Sequence, residues 1–347
     1  MKIEIEKKDQ SFVFEVMQGE KILYAGLRAG ISLPYECATG TCGSCKARLK
    51  EGDLQSGWPD APARKNLKTE RQELLMCQAE ATSDCRIGVP AAIKPFRQDD
   101  LKPQHIKGIS SNWRLLTHDV MQFDVTLPDA ISFHAGQFFV VKTPGVEGFR
   151  AYSMVNYAPE TNVLEFIIKK KPGGGFSEWV FDDKRGKDLV EIFGPLGRAT
   201  FHPDENHDLF MIAGGSGIAG LMSILQHGSE IDYFSDHQAT VFFGVRTRKD
   251  AFFVDQLSAI KRKFPDNIHV NIIFSDEQVT NGAASDLGAL QPGFGMVHEA
   301  ALAGIAPGTA NTMAYLAGPP PMVDACIRPL IMDLKFGANM IRYDKFG

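Results

Sequence analysis

With 347 residues, 44% of them hydrophobic and 23% charged, the chain has room for two or three soluble globular domains. A net charge of −5 gives no reason to expect nucleic acid or an anionic membrane as partner, and no apolar run approaches the ~20 residues of a membrane span. The opening MKIEIEKKDQ alternates like a strand and lacks the apolar centre of a signal peptide, so a cytoplasmic location is expected, and the chain is taken as a monomer.

Lys2–Lys8 and Ser11–Val16 alternate apolar and polar residues about a turn and predict a hairpin. Ile22–Leu27 has helical spacing, with Gly30 placed to end the helix, and a short strand is expected at Lys46–Leu49. Between them lies ECATGTCGSC, in which Cys37, Cys42 and Cys45 form C-x4-C-x2-C; Cys77 follows 32 positions after Cys45. This is the plant-type 2Fe-2S spacing. Two irons bridged by two sulfides need four converging thiolates; a compact loop supplies three and a separate element the fourth. Gly40 and Gly43 let the backbone wrap so that amides point at sulfur. Zinc sites favour paired C-x2-C knuckles, and a thioredoxin-like C-x-x-C opens a helix without two further cysteines. Cys85 and Cys326 are expected to be reduced structural thiols.

Three prolines and several charges mark Pro90–Pro103 as a linker. From Gln104 to Pro203 strand follows strand, as in a closed antiparallel barrel. Phe133–Val141 reads as a barrel strand entered through a glycine. In Arg150-Ala151-Tyr152-Ser153, a forked guanidinium suits a pyrophosphate, and a tyrosine two residues on, upon the same face, suits a flat ring system. Gly173–Gly175 runs into a short helix over Phe176–Phe181, whose free N–H groups suit phosphate. Taken singly, the first motif is also an ordinary strand and the second a flexible turn.

After His207 the texture becomes strand–helix alternation. Leu209–Ala213, Ala239–Val245, His269–Phe274 and Thr312–Leu316 are apolar runs, with helices such as Ile218–His227 and Phe252–Phe264 between them, which predicts a doubly wound parallel sheet. Gly215-x-Gly217-x-x-Gly220 follows the first run as a dinucleotide fingerprint. No acid ends the second strand to take a ribose hydroxyl. It runs instead into Arg246 and Arg248, which suit a 2′-phosphate or belong to a solvated loop. The last strand is expected at Tyr315–Ala317, ending in GPPPM at the ligand edge of the sheet.

In this order the cluster loop, RAYS, GGGFS, AGGSGIAG and YLAGPPPM resemble a reductase of the ferredoxin–NADP reductase superfamily with an N-terminal plant-type ferredoxin, over essentially the whole chain. CATGTCGSCKA, WPDAPA, RAYSMVN, GMVHE and RYDKF are similar to the reductase components of bacterial multicomponent monooxygenases of the toluene, phenol, alkene and soluble methane type. The resemblance implies a multidomain α+β and α/β protein. A β-grasp ferredoxin domain would span 1–92 and a linker 93–103. An antiparallel β-barrel FAD domain would span 104–204 and a doubly wound α/β NAD(P)H domain 205–347. It implies Cys37, Cys42, Cys45 and Cys77 as cluster ligands. Arg150, Gly174, Gly175 and Ser177 would lie at the FAD pyrophosphate, with Tyr152 stacked on the isoalloxazine and Ser153 near its reactive nitrogen. Gly214, Gly215 and Gly217 would form the nucleotide phosphate loop, with Arg246 beside it and Gly318 and Pro319 near the nicotinamide. Phe346 would shield the flavin until nicotinamide displaces it. The family usually has Pro where Gly220 stands, which would leave this loop more flexible. It commonly has Cys at Ala317, which would alter the rate or orientation of hydride transfer.

A nicotinamide gives two electrons at once and the cluster takes one, so a flavin must lie between them. No acid–base pair or nucleophile is needed, and the nine histidines, His134 and His298 included, are expected to be structural. The expected function is electron transfer from NADH, with NADPH open, to the hydroxylase component of a multicomponent monooxygenase, directly or through a small ferredoxin. The competing readings are a reductase for a Rieske-type oxygenase or a deoxysugar dehydratase, and a ferredoxin-type carrier or redox sensor without flavin turnover. Docking is expected around Tyr35–Ser44, with Thr39 and Thr41 as test positions.

Overall fold

The computed structural model describes residues 1–8, 10–97, 100–182, 186–278, 285–305 and 311–346. The chain forms two compact units: residues 1–108, 139–151 and 189–196 make the first, and 109–138, 152–188 and 197–347 the second.

In the first unit, β1 (Lys2–Lys7) and β2 (Gln10–Glu15) make the expected hairpin. Ile3 and Ile5 are fully buried while Glu4 and Glu6 face outward, so the two-residue period places one face on the core. α1 (Ile22–Arg28) packs its apolar side inward, and Gly30, at φ +79°, turns the chain out of the helix. β3 (Ile31–Ser32), β4 (Lys46–Glu51), β5 (Leu54–Ser56), β6 (Glu73–Leu75), β7 (Ala79–Ala81) and β8 (Cys85–Gly88) follow. The main sheet has the order β2-β1-β8-β4-β6, in which β1 and β8 are parallel, and this sheet with α1 across it is a β-grasp. Within the expected linker, β9 (Lys94–Pro95) pairs with β3.

β10 (Gln104–Thr117), β11 (Val120–Ile131), β12 (Phe138–Lys142), β13 (Arg150–Ser153), β14 (Thr161–Lys169) and β15 (Leu189–Leu196) form a six-stranded sheet in the order β13-β12-β15-β10-β11-β14. β10 and β13 each run from the first unit into the second. In the second unit β11 is antiparallel to both β10 and β14. Just past β13, Met154 bridges Phe166 of β14 and Val155 N donates to Glu165 O, which curls the sheet towards a barrel. α2 (Gly175–Val180) follows β14.

The remainder of the second unit is a parallel sheet of β16 (Asp208–Gly214), β17 (Ala239–Val245), β18 (Ile268–Phe274), β19 (Gln291–Phe294), β20 (Thr312–Gly318) and β21 (Ile341–Lys345), in the order β19-β18-β17-β16-β20-β21. The last strand is therefore β21 and not the run at Tyr315–Ala317. Ile341–Lys345 is short and mostly polar, as an edge strand permits, and carries little apolar signal. α3 (Ile218–Glu230) and α4 (Val254–Lys263) bury their apolar residues in the core on one face. α5 (Val297–Ala303) and α6 (Pro320–Met332) do so on the other. Successive strands move outward from β16 to β19, then β20 crosses to the opposite side of β16. That reversal is the topological switch point, where a crevice opens beyond the carboxyl ends of the strands.

Candidate functional site

The cluster loop leaves β3 and returns through β4. Ala38, Gly40 and Gly43 all have positive φ, at 57°, 89° and 86°, which folds the backbone around sulfur. Thr39 N and Cys42 N both donate to Cys37 Sγ at 3.4 Å, and Ser44 N donates to Cys42 Sγ at 3.5 Å. Cys77, between β6 and β7, brings its sulfur to 3.2 Å from Cys45 Sγ, with Gln78 Nε2 donating to it at 3.7 Å. The Cys42 thiol, then the Thr41 side chain and the amides of Thr39 and Cys42, hold the Cys37 thiol below its ordinary range although burial would raise it. A donor set of four gathered sulfurs with amides aimed at them fits a 2Fe-2S cluster. Cys42 is exposed and the other three are buried. Thr39 is only 4% exposed, so a substitution there disturbs packing before docking; the solvent edge of the loop is at Cys42. Cys85, buried, hydrogen-bonds Asp53 O and Ser83 O, and Cys326 is buried within α6.

On β13, Arg150 lies with its guanidinium 4.6 Å from the Trp58 ring centre, and its Nη1 donates to Glu147 O and Phe149 O. The stacking fixes the long side chain before any ligand arrives. In the second unit Tyr152 rests against Phe176 with ring centres 5.1 Å apart, and Ser153 is buried. Gly174 caps α2; a Cβ there would meet Ser177 Oγ at 2.9 Å. The Ser177 hydroxyl bonds Lys171 O, Lys171 N and Gly174 O, so its side chain shapes the glycine loop, and what it offers an anion is its backbone N–H. An aromatic wall beside a glycine-built helix start fits a flavin dinucleotide.

At the switch point a cleft of about 560 Å³ is lined by Gly214, Gly215, Gly217, Arg246, Gly318, Pro319 and Phe346, which the fold thus brings together. A Cβ on Gly217 would lie 2.3 Å from Ala317 O, so the turn that follows β16 and the end of β20 meet here backbone to backbone. Gly215, at φ +53°, has nothing within 4 Å of its outer face and leaves its surface to a ligand. Phe346 N donates to Gly318 O, and its ring stands edge-on to Phe138 at 5.7 Å. Arg246 is exposed to the cleft, whereas Arg248 is turned to Glu277 at 2.9 Å and Asp286 at 3.9 Å. Gly220 is buried in the first turn of α3, not in the loop, because the helix begins at Ile218; the expected loop flexibility has no place there. Lys169, Asp250, Met322 and His298 also line the cleft and were not marked as site residues by the sequence. His298, expected to be structural, has a buried Nδ1 without a partner among the described residues. A glycine-built mouth at the switch point fits a nicotinamide dinucleotide.

Hydride arrives two electrons at a time and a thiolate-held 2Fe-2S cluster accepts one, so a chain that offers both sites with a flavin-binding barrel is an NAD(P)H-dependent electron-transfer reductase. Comparison with known proteins agrees domain by domain. Residues 5–82 match the 2Fe-2S iron-sulfur cluster binding domain, 110–201 the oxidoreductase FAD-binding domain and 211–328 the oxidoreductase NAD-binding domain. The chain is 32% identical over 332 residues to the ferredoxin–NAD(P)(+) reductase CarAd of Metapseudomonas resinovorans, covering 94% of this chain and 95% of that one. It is 33% identical over 337 residues to the ferredoxin–NAD(+) reductase component of the alkene monooxygenase system of Xanthobacter autotrophicus, covering 96% and 97%. The solved ferredoxin reductase in carbazole 1,9a-dioxygenase superposes with a TM-score of 0.82 at 30% identity, over 100% of this chain and 98% of that one. The chain belongs to the ferredoxin–NAD(P)+ reductase family of reductase components, whose cofactors are FAD, NAD and a 2Fe-2S cluster.

Proposed function

We propose that the chain takes reducing equivalents from NADH and delivers them to the hydroxylase component of a multicomponent monooxygenase, directly or through a small ferredoxin. The observation that carries this is the loop at residues 37–45, where gathered cysteines end in one exposed ligand, Cys42. A cluster held there has its outward edge at the surface a protein acceptor must approach. The relatives named for alkene monooxygenase and related systems support an oxygenase as that acceptor.

The roles follow from the chemistry of each residue. When bound, FAD accepts a hydride and releases electrons singly, and the cluster carries single electrons. Gly214, Gly215 and Gly217, with the start of α3, would receive the dinucleotide phosphates on backbone N–H groups. Gly318 and Pro319 would frame the nicotinamide, and the Phe346 ring would cover the flavin face until nicotinamide enters. Tyr152 would stack on the flavin, Ser153 would present its hydroxyl to the redox-active edge, and Arg150 with the amides of Gly174, Gly175 and Ser177 would hold the pyrophosphate. Cys37, Cys42, Cys45 and Cys77 would hold the cluster. We assign residues 1–92, 104–204 and 205–347 to three domains joined by 93–103, in a monomer of cytoplasmic location.

Two alternatives have a specific observation behind them. Likeness to CarAd and to the reductase in carbazole 1,9a-dioxygenase favours a ring-hydroxylating dioxygenase system as the recipient. Arg246, exposed in the cleft with no carboxylate ending β17, favours NADPH as a second donor. Anaerobic titration with NADH and separately NADPH tests the core of the proposal, with absorbance following flavin and electron paramagnetic resonance following the cluster. Bleaching with growth of a reduced 2Fe-2S signal supports it, and the faster nucleotide is the donor. A protein loaded with both cofactors that neither nucleotide reduces would sink it.

A further inference from the structure

α1 touches both halves of the cysteine set. Leu23 N donates to Met76 O at 3.0 Å, next to Cys77, and the Tyr24 hydroxyl donates to Ala38 O at 2.9 Å, next to Cys37. Tyr24 is 1% exposed, and its ring is packed among aromatic rings from outside the β-grasp sheet. It stacks on Phe193 of β15, with centres 4.5 Å apart and planes 20° from parallel, and meets Phe149 edge-on at 5.5 Å. His105 lies against the same Phe193 ring at 4.6 Å. Phe149 and Phe193 fall within the segment that matches the FAD-binding domain, and Phe149 immediately precedes Arg150. One side chain therefore carries its polar end in the cluster loop and its apolar body on β15 and Phe149.

A buried hydroxyl that has given up water must keep its acceptor, and a flat ring so stacked loses contact if either surface moves. The two demands act on one rigid group. From this juxtaposition we infer that Tyr24 is a positioning residue for internal electron transfer: it clamps the cysteine loop to β15, a strand of the segment that matches the FAD-binding domain. The inference rests on the reductase reading and adds to it the element that couples its two redox domains.

The test uses the full-length holoprotein and the variants Y24F, Y24A and F193L. Reduction of flavin by NADH, followed by anaerobic stopped flow, is expected to be unchanged in all three. Y24A and F193L are expected to slow flavin-to-cluster transfer roughly tenfold or more, because a small displacement of reacting partners has a large effect on rate. Both should also hasten tryptic cleavage after Arg97, whether or not cofactors are bound. Y24F keeps the stack and loses the bond to Ala38 O. It frees the cysteine-loop end of the clamp and is expected to slow transfer, though by less than Y24A does, while the paramagnetic resonance of its dithionite-reduced cluster shifts. Transfer at the unsubstituted rate in both Y24A and F193L overturns the inference. So does slowing in Y24A alone, since the ring's partner would then be irrelevant. Failure of NADH to reduce flavin in the unsubstituted protein speaks against the reductase reading itself and is seen separately.

Discussion

At Gly217 the space for a side chain is taken by the carbonyl of Ala317, 2.3 Å from where a Cβ would stand. Relief requires the turn before α3 and the end of β20 to part, because the obstructing atom is backbone. G217A is therefore expected to slow flavin reduction by NADH by roughly tenfold. G215A meets no atom but holds alanine at φ +53°, a strain of about 1 kcal/mol, and should lower thermal stability with a smaller effect on the rate. Stopped-flow traces and melting curves of the two variants separate them; equal rate losses would contradict the steric argument. Glu20 gives a second prediction. Burial would raise its pKa, but hydrogen bonds from His105, Arg28 and Met17 N outweigh it and bring the carboxyl down to about 2. A folded pKa below the ordinary 4.5 means that its stabilisation is complete above pH 4.5 and is lost as pH falls towards 2. E20Q is expected to cost on the order of 3 kcal/mol near neutrality and to flatten the melting temperature across that acid window. An unchanged acid limb would refute it. The four cluster cysteines were legible because thiolate chemistry dictates their spacing. Tyr24 was not, since its value lies in a contact with a residue 169 positions away that no local pattern encodes. For the same reason Arg248 could be read as a phosphate ligand until Glu277 was seen beside it.

Among elements, α3 shows how a helix ties the nucleotide cleft to the barrel. Ser223 Oγ accepts from Gly136 N at 2.8 Å and donates to Gly220 O at 2.8 Å, and the side chain is fully buried. Replacing it by alanine strands the Gly136 N–H away from water, for a cost of about 1–3 kcal/mol. S223A should lower the urea midpoint of the second unit accordingly, with the slope of the transition unchanged. A midpoint equal to that of the unsubstituted protein would show that the bond is dispensable. The parallel strands β16, β17, β18 and β20 were visible as continuous apolar runs because both their faces are covered. β19 and β21 lie at the sheet edges, where QPGF and IRYDK carry no such run. Helix α5 escaped for a different reason: Val297–Ala303 has only seven residues, too few to show a helical period.

For the molecule as a whole, the cysteine set lies in the first unit and the nucleotide cleft in the second, so one half-reaction should survive loss of the other. C77S removes the ligand supplied from outside the loop. It should retain NADH-driven bleaching of the flavin while reduction of cytochrome c falls by more than about tenfold. Iron analysis and the two assays check this, and cytochrome c reduction at the original rate would show that electrons leave from the flavin. The division into a strand-rich front, a barrel and a doubly wound end could be read from changes in apolar periodicity. The strand order that sites the cleft could not, because pairing across a sheet is set by packing and chain crossing.

That strand order also bears on synthesis. β16 pairs with β17, which follows it closely, but also with β20, so that Asp208 sits opposite Thr312 after a long excursion of chain. Contacts of such wide sequence separation form late and slowly, since the loop entropy is lost before they are made. A ribosome-bound chain ending near residue 310 would already hold the complete cysteine loop and barrel strands but only one wall of the nucleotide cleft. Nucleotide binding would thus be the last competence the nascent chain acquires, with hydride uptake waiting on the strand that closes the cleft.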